Sequence, residues 1–171
     1  MNLNANSQIL ISFLLIGLCA AGSAYSGFLI KDGFDRKIKP ELSFVIFGHG
    51  NKMSIPKGIQ EFTFEPEIIN NGNGVAKFIN LKVKFPKDIT VIFNQATWFL
   101  YKEDIYNILE YRSGVNDVIF EQGEFNNRLG LGDIKILLNN NKSQEIIAPF
   151  FIQCERMGQK KGQLVFEIKG K

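Results

Sequence analysis

The sequence predicts an all-β domain, folded as a sandwich or barrel, behind one membrane-spanning helix at the N-terminus. Residues 9–30 contain no Asp, Glu, Lys or Arg, and a helix of that length, at about 1.5 Å per residue, would cross the ~30 Å hydrocarbon core of a bilayer. The rest of the chain alternates short apolar stretches with clusters of Gly, Asn, Asp and Pro. Such turn signals at intervals of about 8–12 residues are typical of all-β folds.

The apolar segment divides the chain into four predicted parts. They are a short N-terminal tail (1–8), a transmembrane helix (9–30), a juxtamembrane linker (31–40) and a β-sandwich domain (41–171). All 20 Lys and Arg and all 17 Asp and Glu lie after the predicted helix. The length that follows the helix is the usual size of one domain.

A cleaved signal peptide is the alternative interpretation of the same segment. Small residues at 20–24 resemble a cleavage zone, and cleavage near Ala24 would release a periplasmic or secreted β-sandwich. The tail 1–8 lacks the Lys or Arg of a typical signal peptide. That absence, together with the hydrophobic length, favours an anchor.

The positions of the cations predict which side of the membrane the domain occupies. Lys31, Arg36, Lys37 and Lys39 follow the apolar segment, and no cation precedes it. Because Lys and Arg near a span tend to stay in the cytoplasm, we expect a single-pass protein of the plasma (inner) membrane with a cytoplasmic C-terminal domain. Small residues spaced four apart in the span, such as Gly17 and Ala21, offer a face for homo-oligomerisation.

Strands are predicted in order along the domain from apolar alternation and flanking turn residues. They cover residues 41–47, 61–68, 79–85, 89–93, 97–101, 115–120, 134–138, 144–153 and 163–168. Pro66 places an edge or a bulge near the end of the second strand, because proline donates no ladder hydrogen bond. Residues 102–111 fit helical spacing and strand alternation equally, and we expect one short inserted helix or an irregular excursion there.

The strands 61–68 and 79–85 flank a cluster of Asn and Gly and fit a simple hairpin. Pairing Asn70 with Val75 would place Glu61 opposite Lys84 and match the apolar faces of the two strands. The charge pattern therefore predicts that these strands are neighbours in one sheet.

The same region resembles bacterial immunoglobulin-like domains, the cell-adhesion-related type among them. Residues 70–76 (NNGNGVA), the alternating strand 79–83 and Pro86 resemble the "Asn-x-Gly-x-x-x-Ala, strand, Pro" core of these domains, and residues 131–134 (LGDI) are similar to their late "Leu-Gly-x-Leu" segment. The resemblance implies an immunoglobulin-like β-sandwich over about residues 41–171, a spacer or binding module without catalytic residues. In that topology the strands on either side of the Asn and Gly cluster lie in different sheets, which is incompatible with the hairpin.

Catalytic chemistry finds little support in the residue types present. His49 is the only histidine, and Cys154 is the only cysteine outside the apolar segment. One histidine and one cysteine do not make a specific pair, so a turn histidine and a buried cysteine are expected. No disulfide within the domain, no zinc site with two histidines and no enzyme activity are predicted.

A metal site is considered on one predicted strand face. Glu61, Glu65 and Glu67 stand at alternate positions, roughly 7 Å apart by strand rise, and with Asp88 they would suit a hard cation. A solvated strand face explains the same residues more simply. No cofactor and no metal are therefore predicted.

An aromatic cluster is the first candidate surface. Trp98, Tyr101, Tyr106 and Tyr111 lie in or near the ambiguous segment, where aromatic side chains would line a ligand groove or a partner surface. The competing interpretation is that Trp98 fills the sandwich core.

A basic cluster near the C-terminus is the second candidate surface. Arg156, Lys160 and Lys161 would contact anionic membrane lipid if they faced the cytoplasmic leaflet, but a solvated hairpin tip followed by a ragged C-terminus explains the same residues better. No basic segment carries interleaved aromatics, so no nucleic-acid partner is expected.

These observations predict a membrane-anchored, non-catalytic β-sandwich module for protein interaction or scaffolding. The alternative is a membrane-tethered ligand-sensing or regulatory domain that uses the segment 98–111. A secreted sandwich, released by cleavage near Ala24, is the second alternative.

Overall fold

The computed structural model describes residues 38–114, 116–124, 126–138 and 145–169. Within these ranges there is no helix long and apolar enough to cross a membrane. The predicted span 9–30, its small-residue oligomerisation face and the tail before it lie outside the described residues. Lys39–Lys171 form one compact unit.

The described part of the chain contains twelve β-strands and no helix, which confirms the predicted all-β class. The strands are β1 (Leu42–Ile46), β2 (Lys52–Pro56), β3 (Glu61–Phe64), β4 (Pro66–Asn70), β5 (Asn80–Pro86), β6 (Ile89–Phe93), β7 (Phe99–Lys102), β8 (Tyr106–Arg112), β9 (Arg128–Gly130), β10 (Ile134–Leu138), β11 (Glu145–Cys154) and β12 (Met157–Lys169).

The strands form one large and two small sheets. The large sheet has the order β2-β12-β11-β5-β8-β7, and the small sheets have the orders β1-β4-β9 and β3-β10-β6. Neighbouring strands are antiparallel except β2 and β12, which are parallel.

The core lies between the large sheet and the two small ones. Every second residue of β5 is buried, and so is every second residue of β11 up to Cys154. These buried side chains form one apolar cluster with residues of all three sheets. Aromatic rings join the layers: Phe44 meets Phe150 at 5.0 Å between ring centroids, and Phe64 meets Phe85 at 6.5 Å. The arrangement is a β-sandwich, and burying each such side chain contributes roughly 1.5–3 kcal/mol.

The strand predicted over residues 61–68 is divided between the two small sheets. β3 pairs with β10, and β4 pairs with β1 and β9. Glu65 separates them, and its carbonyl accepts a 2.8 Å hydrogen bond from the Phe47 N–H. Pro66, which lacks an N–H, opens β4, so the irregularity expected near this proline is a change of pairing partner.

The simple hairpin between residues 61–68 and 79–85 is wrong. β3 and β4 lie in the small sheets and β5 lies in the large one, as the resemblance to immunoglobulin-like domains implies. Glu61 pairs with Lys135 at 2.8 Å and not with Lys84. Alternation of polar and apolar residues was misleading, because it shows only which face of a strand is buried. The strands of residues 61–68 and 79–85 both bury one face in the same core, but they approach it from opposite sides.

The short helix considered for residues 102–111 is also wrong. β7 and β8 form an antiparallel hairpin there, with Lys102 opposite Asn107. Leu109 and Tyr111 point into the core, so strand alternation decided between the two patterns. The strand predicted over residues 115–120 is reduced to one bridge, between Ala76 and Ile119.

The Asn and Gly cluster predicted as a turn is organised by one buried side chain. Asn70 is fully buried, and its amide nitrogen donates to the carbonyls of Gly74 (2.7 Å), Phe120 (3.0 Å) and Ile119 (3.4 Å). The side chain therefore fastens the segment after β4 to the segment after β8.

The oxygen and backbone of Asn70 hold two further segments. The Asn70 side-chain oxygen accepts hydrogen bonds from the backbone N–H groups of Glu41 and Gly72, both at 3.0 Å. The backbone N–H of Asn70 donates to the Asn127 carbonyl at 2.9 Å. A β-carbon at Gly72 would overlap the backbone of Lys39 and Glu41. Only glycine permits this approach of two chain segments.

Candidate interaction surface

The aromatic residues singled out from the sequence separate into a buried pair and an outer pair. Trp98 is 1% exposed, and its indole nitrogen donates to the Leu131 carbonyl at 3.1 Å. Its ring meets that of Tyr111 edge-on at 6.0 Å, and the Tyr111 hydroxyl donates to Asp117 at 3.1 Å. Burial raises the pKa of Tyr111. This pair lies in the core, which is the alternative considered for Trp98.

Tyr101 and Tyr106 lie on the opposite side of the sheet, beside cations. The Lys82 ammonium is 5.8 Å from the centroid of the Tyr101 ring, and the Lys84 ammonium is 5.5 Å from that of Tyr106. The interaction with Tyr101 is the main cause of a raised Lys82 pKa. The four predicted aromatics therefore do not make one surface, and the binding role stays a prediction.

The outer face is the surface of the large sheet that points away from the two small sheets. Strand alternation and register place these residues on it: Asn80, Lys82 and Lys84 of β5, Phe99 and Tyr101 of β7, Tyr106, Ile108, Glu110 and Arg112 of β8, Ile147, Pro149, Phe151 and Gln153 of β11, and Lys161 of β12. No described strand covers this face.

Glu110 is the most unusual residue of the outer face, because it is a carboxylate only 4% exposed on a face without a covering layer among the described strands. Both of its carboxylate oxygens accept hydrogen bonds of 3.0 Å from Arg112, and one also accepts from Asn80 at 3.0 Å. The Lys82 ammonium lies 3.6 Å away. The hydrogen bond from Arg112 is the main cause of the lowered Glu110 pKa.

The register of β5 and β8 builds this network. Lys82 is directly opposite Glu110, and Asn80 is opposite Arg112. All four side chains therefore lie on one face within one cross-strand neighbourhood. The sequence analysis missed Glu110, because its signal requires knowing that β5 and β8 are neighbours.

A groove of about 320 Å³ crosses the outer face beside this network. Its lining includes Lys82, Lys84, Tyr101, Phe151 and Gln153. Ile108 forms part of it and is only 1% exposed. Glu103, which pairs with Lys84 at 2.9 Å, also lines the groove. Around the apolar side chain of Ile108, the groove therefore presents cations, a carboxylate, aromatic rings and amides.

The basic residues near the C-terminus do not form one patch. Arg156 lies in the turn between β11 and β12 with a positive φ of 64°. Lys160 pairs with Glu41 at 3.5 Å, whereas the Lys161 ammonium lies 5.7 Å from the centroid of the Phe151 ring on the outer face. Contact with anionic lipid stays a prediction.

His49 and Cys154 lie on different elements. His49 is in the turn between β1 and β2, next to a hollow whose lining does not include Cys154. Cys154 ends β11, and burial raises the pKa of its thiol to about 11. At neutral pH this thiol is protonated and a poor nucleophile.

Two of the four carboxylates considered for a cation form ion pairs. Glu61 pairs with Lys135 at 2.8 Å, and Glu67, which is largely buried, pairs with Arg128 at 3.3 Å. Among the residues the structure describes, no three His, Cys, Asp or Glu side chains are grouped so that they could hold a metal ion.

A second hollow, of about 690 Å³, lies beside the segments after β4 and after β8 that Asn70 joins by hydrogen bonds. Its lining includes Val75, Lys77, Phe120 and Arg128. It is separate from the aromatic segment 98–111 that the ligand-sensing alternative requires.

Comparison with known proteins finds likenesses of fold only. No protein-family model matches the sequence, and no curated protein matches it. Among solved structures, the N-terminal domain of the Streptococcus gordonii adhesin Sgo0707 is 12% identical (TM-score 0.41), and the match covers 78% of this chain and 33% of that one. The chain thus spans about a third of the length of that adhesin chain.

Two smaller domains are matched over nearly their whole length. The third cohesin of ScaC from Acetivibrio cellulolyticus, solved in complex with the ScaB dockerin, is 10% identical (TM-score 0.44; 75% of this chain, 99% of that one). The collagen-binding subdomain ACE19 of Enterococcus faecalis is 6% identical (TM-score 0.38; 77% and 97%).

Proposed function

We propose that this chain is a non-catalytic protein-docking module, tethered to the membrane by residues 9–30 with its domain in the cytoplasm, and that the outer face binds a protein partner. The observation that carries the proposal is Glu110, a carboxylate buried on a face that no strand of the described residues covers. Holding a charge in such a place requires several partners, and the chain supplies Asn80, Lys82 and Arg112.

The Glu110 network holds its cations in place before any partner arrives. Arg112 is fixed by the two hydrogen bonds that it donates to Glu110, while its side chain remains 66% exposed. A binding group that is already ordered loses less conformational entropy on association. Arginine and aromatic residues are also the residue types that contribute most to protein interfaces.

The charge of the outer face favours an acidic partner. Around the groove, the carboxylates Glu110 and Glu103 are outnumbered by four cations, Arg112, Lys82, Lys84 and Lys161, and Glu103 pairs with Lys84 at 2.9 Å. Each of these cations has an aromatic ring or a carboxylate beside it, and these contacts restrict the conformations of the cationic side chains. Complementary charges of this kind steer encounter and select partners more than they add affinity.

Site-specific photo-crosslinking in cells tests the docking face. A photoreactive phenylalanine at Gln153, exposed on the outer face, is compared with one at Ile92, exposed on β6 of a small sheet. We expect a discrete adduct from Gln153 only, and its loss when K82E and K84E are combined in the full chain. Equal adducts from both positions, or an adduct unaffected by the charge reversals, would contradict the proposal.

Fusion of reporters after Lys171 tests the anchor and its orientation. We expect activity from a reporter that works only in the cytoplasm and none from one that works only outside it. Activity of the outside reporter would overturn the orientation, and release of a shortened protein from the membrane would support the secreted alternative.

A further inference from the structure

The large sheet ends in β2 on one side and in β7 on the other, and β7 is the more apolar of these two edge strands. β7 ends the sheet, and no described strand lies on its other side. Phe99 and Leu100 are 59% and 42% exposed, and Ile105 in the adjoining turn is 66% exposed. At the opposite end, β2 carries Lys52, which forms an ion pair with Glu167 of β12. An exposed apolar edge strand is a template for pairing with another chain.

The hydrogen bonds of the hairpin determine which backbone groups of β7 are open. The Glu103 N–H donates to the Tyr106 carbonyl at 2.9 Å, immediately beyond the Lys102–Asn107 pair. Bonded and non-bonded pairs alternate in an antiparallel ladder, so Phe99 and Tyr101 bond to β8. The N–H and C=O groups of Leu100 and Lys102 therefore point away from β8, toward the open edge.

We propose that β7 pairs antiparallel with β7 of a second copy of this chain, about a twofold axis that passes beside Tyr101. In this register Leu100 of each copy faces Lys102 of the other, and each of these pairs exchanges two hydrogen bonds. Four backbone hydrogen bonds form, and the two Tyr101 residues meet across the axis on the outer face.

Two neighbouring twofold registers are less favourable. An axis beside Leu100 would pair Lys102 with Trp98, whose N–H already donates to the Asn94 carbonyl at 3.1 Å. An axis beside Lys102 would place the two Lys102 side chains directly opposite each other, and like charges in that position are destabilising. The register at Tyr101 avoids both conflicts.

The paired edges would give a weak contact that the membrane strengthens. β7 has four residues, so the strand pair buries less than the roughly 1,000 Å² of a stable interface. Tethering through residues 9–30 would confine two copies to one surface and raise their effective concentration. The two outer faces would then form one continuous surface.

Disulfide crosslinking of the full chain tests the contact and its register. Cys19 and Cys154 are replaced by alanine, and single cysteines are introduced as Y101C or F99C. In the proposed register the Tyr101 Cα atoms are about 4.5 Å apart, a distance that a disulfide spans. Phe99, on the same face and the same strand, would be roughly 14 Å from its counterpart by strand rise.

We expect mild oxidation of membranes to convert most Y101C chains to dimers, with at least a fivefold lower yield from F99C. Adding L100P, which removes an outward N–H and no β7–β8 bond, should abolish the Y101C dimer. The proposal would be overturned by equal dimer yields from Y101C and F99C, or by no dimer from Y101C. It would also be overturned if L100P left the Y101C dimer yield undiminished in a chain whose unfolding midpoint is unchanged. These outcomes are independent of the Gln153 adduct.

Discussion

Asn70 and Glu110 are both buried polar residues, but their partners differ in kind. Asn70 bonds to backbone groups of four chain segments, whereas Glu110 bonds to the side chains of Asn80, Lys82 and Arg112. Backbone partners fix the path of the chain, and side-chain partners fix the positions of surface charges. The first residue therefore serves the fold and the second serves the surface.

The largest expected effect is at Asn70. Replacing Asn70 by Ala leaves buried carbonyls and N–H groups without partners, at roughly 1–3 kcal/mol each, so we expect a loss of about 4 kcal/mol in the free energy of unfolding measured by urea titration. Asn71→Ala is the matched control, since the Asn71 side chain donates to the Ser43 hydroxyl at an exposed position and its backbone hydrogen bond to Glu41 does not depend on the side chain. A similar loss from both variants would show that the cluster is an ordinary surface turn.

Gly72→Ala should cost slightly less, about 3 kcal/mol, because the added carbon overlaps the backbone of Lys39 and Glu41. Gly158→Ala, where nothing lies within 4 Å of the new carbon, is expected to change the free energy of unfolding by less than about 0.5 kcal/mol. Equal stability of the two variants would show that the chain segments beside Gly72 separate easily.

Glu110→Gln should cost about 1 kcal/mol at pH 7 and nothing at low pH. The folded-state pKa of Glu110 is lowered, chiefly by Arg112. Its contribution is therefore present above the unfolded-state pKa and is lost as pH falls through the lower, folded-state value. Urea titrations between pH 7 and pH 3 measure this convergence, with Glu103→Gln as the exposed control. A pH-independent difference would show that packing, not charge, holds Glu110.

Tyr106→Ser should have the smallest effect on folding, under about 1 kcal/mol, because Tyr106 is half-buried on the outer face. We nevertheless expect it to weaken the Gln153 photo-adduct several-fold. A large loss of stability with an unchanged adduct would assign Tyr106 to the fold, beside Trp98.

Local alternation was enough to predict much of the fold. β6 and β10 begin and end at the predicted residues, and β5 is displaced by one. The pairing of residues 61–68 was wrong because a matching charge pattern does not say which sheet a strand joins. β2 was missed: it is short, three of its five residues are exposed, and it ends at Pro56.

The candidate surface was only partly predictable for a related reason. Tyr101 and Tyr106 were noticed as aromatic residues, but Trp98 and Tyr111 beside them proved to be core. Glu110 went unnoticed, since its partners Asn80 and Lys82 lie about 30 positions earlier in the chain and meet it only through the β5–β8 register.

The interruption at Glu65 also determines how the domain opens. No hydrogen-bond ladder of the described strands runs across it, so the β1-β4-β9 and β3-β10-β6 sheets are separate units, joined by side chains, by the chain itself and by isolated backbone hydrogen bonds such as that from Phe47 to Glu65. We therefore expect each small sheet to fray while the other stays closed, and amide exchange to be slowest in β11 and β5, the central strands of the large sheet. Transient opening would therefore disturb the outer face last.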